Sequence, residues 1–255
     1  MSVEPKTAEP AESEAGRRRA QAAQALRAAK DALSREHILD AAERVFADGG
    51  FASARMQDVA REAGISLATL YQFYPGKREL HRAILIARDN EMLEAVLQKV
   101  QASLERPQSM VQMLWVQRAH MQFLLGHTDY LRLILQEGYA WYHAAAQPTS
   151  DEQQIWERGI AAIEQVLAWG IAAGHMVGGK GPDQARMVLA LQQTRLANWV
   201  ADGMHEAHDA VIERVQTDFV RFFCRPAVAL DLLTEDGAGL KPAVLAQIEQ
   251  LDEAA

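Results

Sequence analysis

Polar side chains recur between residues 66 and 72 at positions suited to hydrogen bonding with an extended partner. The set supplies hydroxyl and amide groups and consists of Ser66, Tyr71 and Gln72. Such groups can bond to base edges in a major groove or to phosphates. Leu67 and Ala68 lie among them and could contact thymine methyl groups. These residues predict recognition of double-stranded DNA, with no catalytic residue among them.

An amphipathic helix is predicted before this set. Its apolar face is formed at helical spacing by Ile38, Ala41, Ala42, Val45 and Phe46. Gly49 and Gly50 follow, and a glycine can take the positive φ that ends a helix.

Two further short helices are predicted on either side of Gly64. Met56, Val59, Ala60 and Ala63 form the apolar stripe of the first. Gly64 permits the reversal, and the hydroxyl of Ser66 can cap a helix that begins at Leu67. Leu70 then faces inward and leaves the polar side chains outward. The spacing predicts a helix-turn-helix whose second helix reads DNA.

The whole run resembles the N-terminal domain of the TetR family of transcriptional regulators. It contains Asp-Val-Ala at 58–60, Ala-Gly-Ile-Ser at 63–66, Thr-Leu-Tyr-Gln-Phe at 69–73 and Lys-Arg-Glu-Leu at 77–80. The resemblance implies that Tyr71 contacts a phosphate and the groove, that Thr69 is a polar contact, and that Lys77 clamps a phosphate. It also places Gln57 where the second helix can touch a base or a phosphate. Leu67-Ala68 departs from the family's frequent Lys-Gly, so the operator sequence does not follow from the resemblance.

Charge is unevenly distributed along the chain. The net charge is −8, and residues 82–255 hold 14 basic and 22 acidic side chains. Arg17, Arg18, Arg19, Arg27 and Lys30 form a basic cluster without an acid between them. This cluster could contact phosphates or a minor groove, or be a solvated extension. We predict that residues 1–33 form a basic extension, disordered over 1–14, ahead of a DNA-binding domain at 34–80.

Other compositional features exclude several classes of protein. The sequence has no run of eighteen apolar residues and no secretory signal pattern, which predicts a cytoplasmic protein without a membrane partner. The single cysteine, Cys224, excludes an internal disulfide and is expected to pack in the core. His205 and His208 are three residues apart and lack a third ligand, so we expect a surface pair and no metal or other cofactor. The sequence contains no phosphate loop and no nucleophile elbow, so we do not expect an enzyme.

The remainder is predicted to be helical throughout, giving an all-α fold. Residues 81–224 are expected to form a ligand-binding and dimerisation domain, and 225–255 a tail with a possible short helix. The resemblance implies that two long helices, about 150–174 and 182–204, pair across a two-fold axis as a four-helix bundle. The expected interface consists of Ile163, Leu167, Ile171, Leu196, Trp199 and Val200. Packing within one chain is the alternative.

Aromatic side chains in the middle of the chain favour a ligand cavity. Rings with polar tips suit an adaptable apolar pocket. The predicted ligand-binding residues are Trp115, Phe123, Tyr139, Tyr142, His143 and Trp169. Core packing is again the alternative.

Together these features predict a homodimeric repressor that binds a palindromic operator and is released by a small hydrophobic or aromatic effector. The alternative is a constitutive DNA-binding regulator without an effector.

Overall fold

The computed structural model describes residues 10–136, 150–179 and 181–254. Over these residues the chain is helical, and the only extended pairings are two isolated bridges, Met176–Cys224 and Leu233–Leu240. The helices are α1 (Pro10–Ser53), α2 (Met56–Glu62), α3 (Leu67–Phe73), α4 (Lys77–Leu104), α5 (Met110–Gly126), α6 (Thr128–Gln136), α7 (Ser150–Ala172), α8 (Gly181–Ala201), α9 (His208–Phe223), α10 (Pro226–Leu232) and α11 (Pro242–Glu253). The predicted all-α fold is confirmed.

Helix α1 begins earlier than the sequence indicated. Residues 10–14, predicted to be disordered, are helical, and the basic extension runs into the DNA-binding head without a break. Alanine, arginine and glutamine dominate residues 16–30, and their high helix propensity accounts for this correction. Near its other end α1 is interrupted at Gly50, where φ is 75° and ψ is 148°. The predicted glycine stop is therefore present.

The first three helices form a small head around one apolar centre. Phe46, Val59 and Leu70 are fully buried there, one from each of α1, α2 and α3. Gly64 has a φ of 63° and makes the turn between α2 and α3. A ring nitrogen of His37 lies 3.0 Å from the carbonyl oxygen of Ala63, which fixes α1 against that turn.

Helix α4 leaves the head and continues into the body. Leu80 and Ile84, near its start, belong to the apolar cluster that includes the head core, whereas Val100 belongs to a second cluster deep in the body. At 28 residues, α4 is about 42 Å long. It is therefore a continuous connection between the two regions.

The predicted C-terminal tail is part of the body. It forms α10 and α11, and Val244 and Ile248 of α11 are buried in the second cluster. Asp252 accepts hydrogen bonds from Trp115 Nε1 at 2.8 Å and from Arg118 Nε at 3.2 Å, which fasten α11 to α5. The boundary predicted at 224/225 therefore does not separate a tail from the domain.

In the described part of the chain, none of the helices is both long and apolar enough to cross a bilayer.

Candidate nucleic-acid interface and adjoining cavity

Helix α3 buries one face and exposes the other. Leu70 is fully buried in the head, whereas its neighbour Tyr71 is 47% exposed. Ala68 and Gln72 are exposed on the same helix, and Gln57 is exposed on α2. Leu67 is partly buried against the head core, so its methyl groups are less available than the sequence suggested. The outward face can offer hydroxyl, amide and apolar contacts to a groove.

The start of α3 is held by the serine that the sequence identified as a cap. Ser66 Oγ accepts a hydrogen bond from the backbone N–H of Thr69 at 3.0 Å. The two hydroxyl oxygens of Ser66 and Thr69 lie 2.7 Å apart. The pair therefore stabilises the first turn of the helix while remaining at its surface.

Lys77 has a structural position that the sequence did not indicate. Its Nζ lies 2.6, 3.1 and 3.0 Å from the carbonyl oxygens of Phe51, Ala52 and Ala54. It also lies 4.5 Å from the centroid of the Phe51 ring. An ammonium group has three hydrogens, and here three carbonyls lie around it. Lys77 thus ties the start of α4 to the end of α1, and its expected contact with a phosphate stays a prediction.

The basic cluster on α1 lies far from the head core. Arg17, Arg18 and Arg19 are exposed on the helix. Arg18 is twenty residues before buried Ile38, a distance of about 30 Å along a helix. Whether this segment contacts DNA stays a prediction.

A cavity of about 660 Å³ lies between α4 and the rest of the body. Its walls come from α1, α4, α5, α6, α7, α8 and α9. Along α4 the lining runs from Arg78 to Val100, about 33 Å. The end next to the head holds Phe51, Arg78 and His81, and the far end is apolar around Val100 and Phe219. The volume is in the range of small-molecule sites.

The lining differs from the predicted ligand-binding set. Trp115 is fully buried and faces α11, with its N–H donated to Asp252. Phe123 stacks on His127 with 4.1 Å between ring centroids, and Trp169 packs on His175 at 5.3 Å. None of the three lines the cavity. Tyr139, Tyr142 and His143 lie outside the described residues.

The face of α5 that does line the cavity has a simple helical spacing. It consists of Met113, Val116, Gln117 and His120, at i, i+3, i+4 and i+7. Trp115 and Phe123 lie on other faces of the same helix, which explains the correction. On α5, only Met113, Val116, Gln117 and His120 have the helical period of the cavity face, and none of them is one of the large aromatic residues that the sequence favoured.

His120 is a buried, neutral polar group of the lining. Its Nδ1 lies 2.8 Å from Gln192 Oε1 on α8. Burial lowers the pKa of His120 to about 4, and the hydrogen bond to Gln192 only partly offsets this. At neutral pH the ring is uncharged.

Half of the predicted dimer interface is buried inside one protomer. Leu167, Leu196 and Trp199 have less than a tenth of their surface exposed, while Ile163, Ile171 and Val200 are half-buried. Leu196 and Trp199 pack with Val211 of α9 in the cluster next to the head, and Leu167 lines the cavity. The apolar stripes of α7 and α8 therefore contribute largely to the core of the protomer, and their role in an interface between two chains stays a prediction.

Neither of the other candidate chemical groups forms a reactive site. His208 packs edge-on against Trp199 at 5.4 Å, and the described residues contain no group of three potential metal ligands. Cys224 is buried, and burial raises the pKa of its thiol to about 12, so it remains protonated. Both positions contribute packing.

The fold and the exposed α3 define a helix-turn-helix protein. Residues 38–84 match the family model of bacterial regulatory proteins of the tetR family. The head described above is therefore a DNA-binding domain of the tetR type.

Relatives extend the similarity beyond the head. An uncharacterized HTH-type transcriptional regulator, Rv1255c, of Mycobacterium tuberculosis is 26% identical over 177 residues, 69% of this chain and 74% of that protein. The HTH-type transcriptional repressor SCO4008 of Streptomyces coelicolor is 25% identical over 65% of this chain and 77% of its own length. Among solved structures, the transcriptional regulator FadR of Bacillus subtilis, in complex with stearoyl-CoA, has a TM-score of 0.57 at 18% identity. The match covers 72% of this chain and 96% of that one.

Proposed function

We propose that this protein is a homodimeric repressor whose α3 helices read a palindromic operator and whose cavity binds an apolar effector that releases the DNA. The repressor SCO4008 supports the direction of regulation, and FadR, solved with stearoyl-CoA, supports an effector with a large apolar part. A constitutive regulator without an effector is the alternative.

The observation that carries the effector proposal is that the head forms part of the cavity wall. Phe51 belongs to the end of α1 and lines the cavity together with His81. The two rings lie 4.7 Å apart, and the carbonyl of Phe51 accepts a hydrogen bond from Lys77. An effector that displaces Phe51 or His81 would thus act directly on the junction between the end of α1 and the start of α4.

A charged network makes the same junction stiff. Arg88 of α4 binds Asp40 and Glu43 of α1 together with Glu91. Burial lowers the pKa of Arg88, but its hydrogen bonds to Glu43 and Glu91 outweigh this and raise it. Arg88 stays charged, and α1 moves with α4. Rotation of α4 around an effector would therefore change the separation of the two heads.

For the dimer we propose the outer surface of α8 and α9 in place of the predicted residues. Met187 is 55% exposed and Phe222 is 62% exposed. Val177 is also half exposed. The backbone N–H of Val177 donates a hydrogen bond to Phe223 O at the end of α9. The carbonyl of Val177 accepts a hydrogen bond from Nε2 of Gln184, which lies one turn before Met187 on α8. These bonds bring three exposed apolar side chains to one end of the α8–α9 pair.

Charge placed on this surface tests the dimer proposal. Phe222→Asp should convert a dimer to a monomer in sedimentation, because it would bury an unpaired carboxylate. Leu104→Asp, at another half-exposed apolar site, is the control and should stay dimeric. A Phe222→Asp protein that remains dimeric would show that the interface is elsewhere.

A matched pair on α7 tests the effector proposal. Ala162 is buried in the cavity wall, and its neighbour Ala161 is exposed. With an operator selected from random duplex DNA, the apolar probe 1-N-phenylnaphthylamine should lower wild-type affinity. Ala162→Phe should block binding of the probe, whereas Ala161→Phe should not. Probe binding without any change in operator affinity would favour the constitutive alternative.

A further inference from the structure

One glutamine in the cavity wall has an amide without a hydrogen-bond partner among the residues that the structure describes. Gln117 lines the cavity from α5, and both its Oε1 and its Nε2 are buried and unbonded. Two other buried glutamines each use one end of the amide: Gln216 donates to Leu114 O, and Gln184 donates to Val177 O. A buried polar group without a partner is costly, so it calls for a specific explanation.

A second unpartnered donor belongs to the same wall. Trp156 lines the cavity from α7, and its Nε1 is also buried with no hydrogen-bond acceptor in the described part of the chain. Its ring is held in place from α8, where the Arg186 guanidinium lies 5.3 Å from the ring centroid. The wall therefore offers two N–H donors, from Gln117 and Trp156, and one amide acceptor.

The charged groups of the lining all belong to one helix, which is not the helix of either Gln117 or Trp156. They are Arg78, Arg82 and Asp89, all on α4, and Asp89 accepts a hydrogen bond from Tyr130. Gln117 and His120, one turn apart on α5, are neutral, as is the Gln192 that bonds to His120. Burying an ion beside such groups would be expensive, whereas an uncharged polar group would be matched.

We propose that the effector carries an uncharged group that both accepts and donates hydrogen bonds, such as a carboxamide, on an apolar skeleton, and that Gln117 and Trp156 bind this group. The inference rests on the proposed effector cavity and specifies its ligand class. Gln117 pairs with the group through both ends of its amide, and Trp156 Nε1 donates to its oxygen. The skeleton fills the apolar part of the cavity.

Two probes of similar shape test the proposal. 2-Naphthamide has the required group, and 2-isopropylnaphthalene replaces it with a hydrocarbon. Each dissociation constant would be measured by displacement of 1-N-phenylnaphthylamine from the full-length wild type, Gln117→Leu, and Gln122→Leu. Gln122 is an exposed glutamine on the same helix and serves as the control.

We expect Gln117→Leu to raise the dissociation constant of 2-naphthamide about tenfold or more, since each lost hydrogen bond weakens binding a few-fold to about tenfold. The same variant should bind 2-isopropylnaphthalene at least as well as wild type does. Without ligand its melting temperature should rise, because an unbonded amide has been removed. Gln122→Leu should change neither the ratio of the two dissociation constants nor the melting temperature.

Equal changes for both probes, or an unchanged melting temperature, would overturn the inference and indicate that water satisfies Gln117. The proposed effector cavity would survive that result if Ala162→Phe still blocked 1-N-phenylnaphthylamine. If 1-N-phenylnaphthylamine bound equally to wild type and Ala162→Phe, the cavity itself would be rejected, and the ligand class with it.

Discussion

Lys77 and Phe51 make a double contact at the junction of the head and the body. The ammonium group lies 2.6 Å from the backbone carbonyl of Phe51 and 4.5 Å from the centroid of its ring. The same ring lines the cavity. One side chain at the start of α4 therefore joins the end of α1 to the wall of the proposed effector site.

Lys77→Met should destabilise the protein by about 1–3 kcal/mol, because carbonyl groups at the end of α1 lose a charged donor. Thermal unfolding of the two proteins measures this. Lys30→Met, at an exposed lysine of the extension, is the control and should unfold like wild type. A Lys77→Met protein of unchanged stability but reduced DNA affinity would restore Lys77 as a phosphate contact.

Neighbouring residues of α3 should separate DNA binding from folding. Tyr71→Ala should weaken operator binding and leave the melting temperature nearly unchanged, since its side chain is half exposed. Leu70→Ala should cost about 2–5 kcal/mol of stability, since its side chain is fully buried. Fluorescence anisotropy with labelled duplex, alongside thermal unfolding, distinguishes the two effects. Operator affinity unchanged in Tyr71→Ala would exclude the outward face of α3 as the reading surface.

The basic cluster on α1 should act through charge. Replacing Arg17, Arg18 and Arg19 with glutamine should weaken binding to all duplexes and leave the preference between sequences nearly intact. The slope of log affinity against log salt should become shallower by about 0.9 for each phosphate that the variant no longer neutralises. Identical slopes for the triple variant and wild type would show that the cluster is only a solvated extension.

His120 should make stability depend on pH. Its pKa falls from 6.5 to about 4 on folding, because burial disfavours the charged ring. Between these two pH values the ring is protonated in the unfolded chain and neutral in the folded chain. The neutral ring therefore contributes to the free energy of unfolding. This contribution is complete above pH 6.5 and is lost as the pH falls through about 4, and its full size is about 3 kcal/mol.

His120→Gln should remove this contribution, so that the denaturation midpoints of variant and wild type converge between pH 7 and pH 4. His205→Gln, at an exposed histidine, is the control for the replacement. A constant difference between His120→Gln and wild type across this range would contradict the assignment.

The head was predictable because its signals are local. The glycine at 64, the cap at 66 and the inward leucine at 70 each determine the backbone within a few residues. The carbonyl contacts of Lys77 could not be predicted, because its partners lie more than twenty residues earlier in the chain. No local pattern records that contact.

The cavity and the packing of α7 and α8 depend on tertiary contacts. Trp115 has the composition of a pocket residue, but Asp252, 137 residues later, turns it towards α11. Leu196 has the pattern of an interface residue, but α9 covers it. An apolar stripe shows that a face is covered, and it does not show whether the same chain or a partner covers it.

Selection of binding sites from random duplex DNA, followed by footprinting on the wild-type protein, tests the central claim most directly. Two α3 helices related by a two-fold axis should enrich an inverted repeat whose half-site centres are about 34–36 Å apart, or a multiple of that distance, on one face of the DNA. Protection should cover both half-sites at the same protein concentration. Enrichment of no sequence, or of a single unpaired half-site, would contradict a dimeric operator-binding regulator.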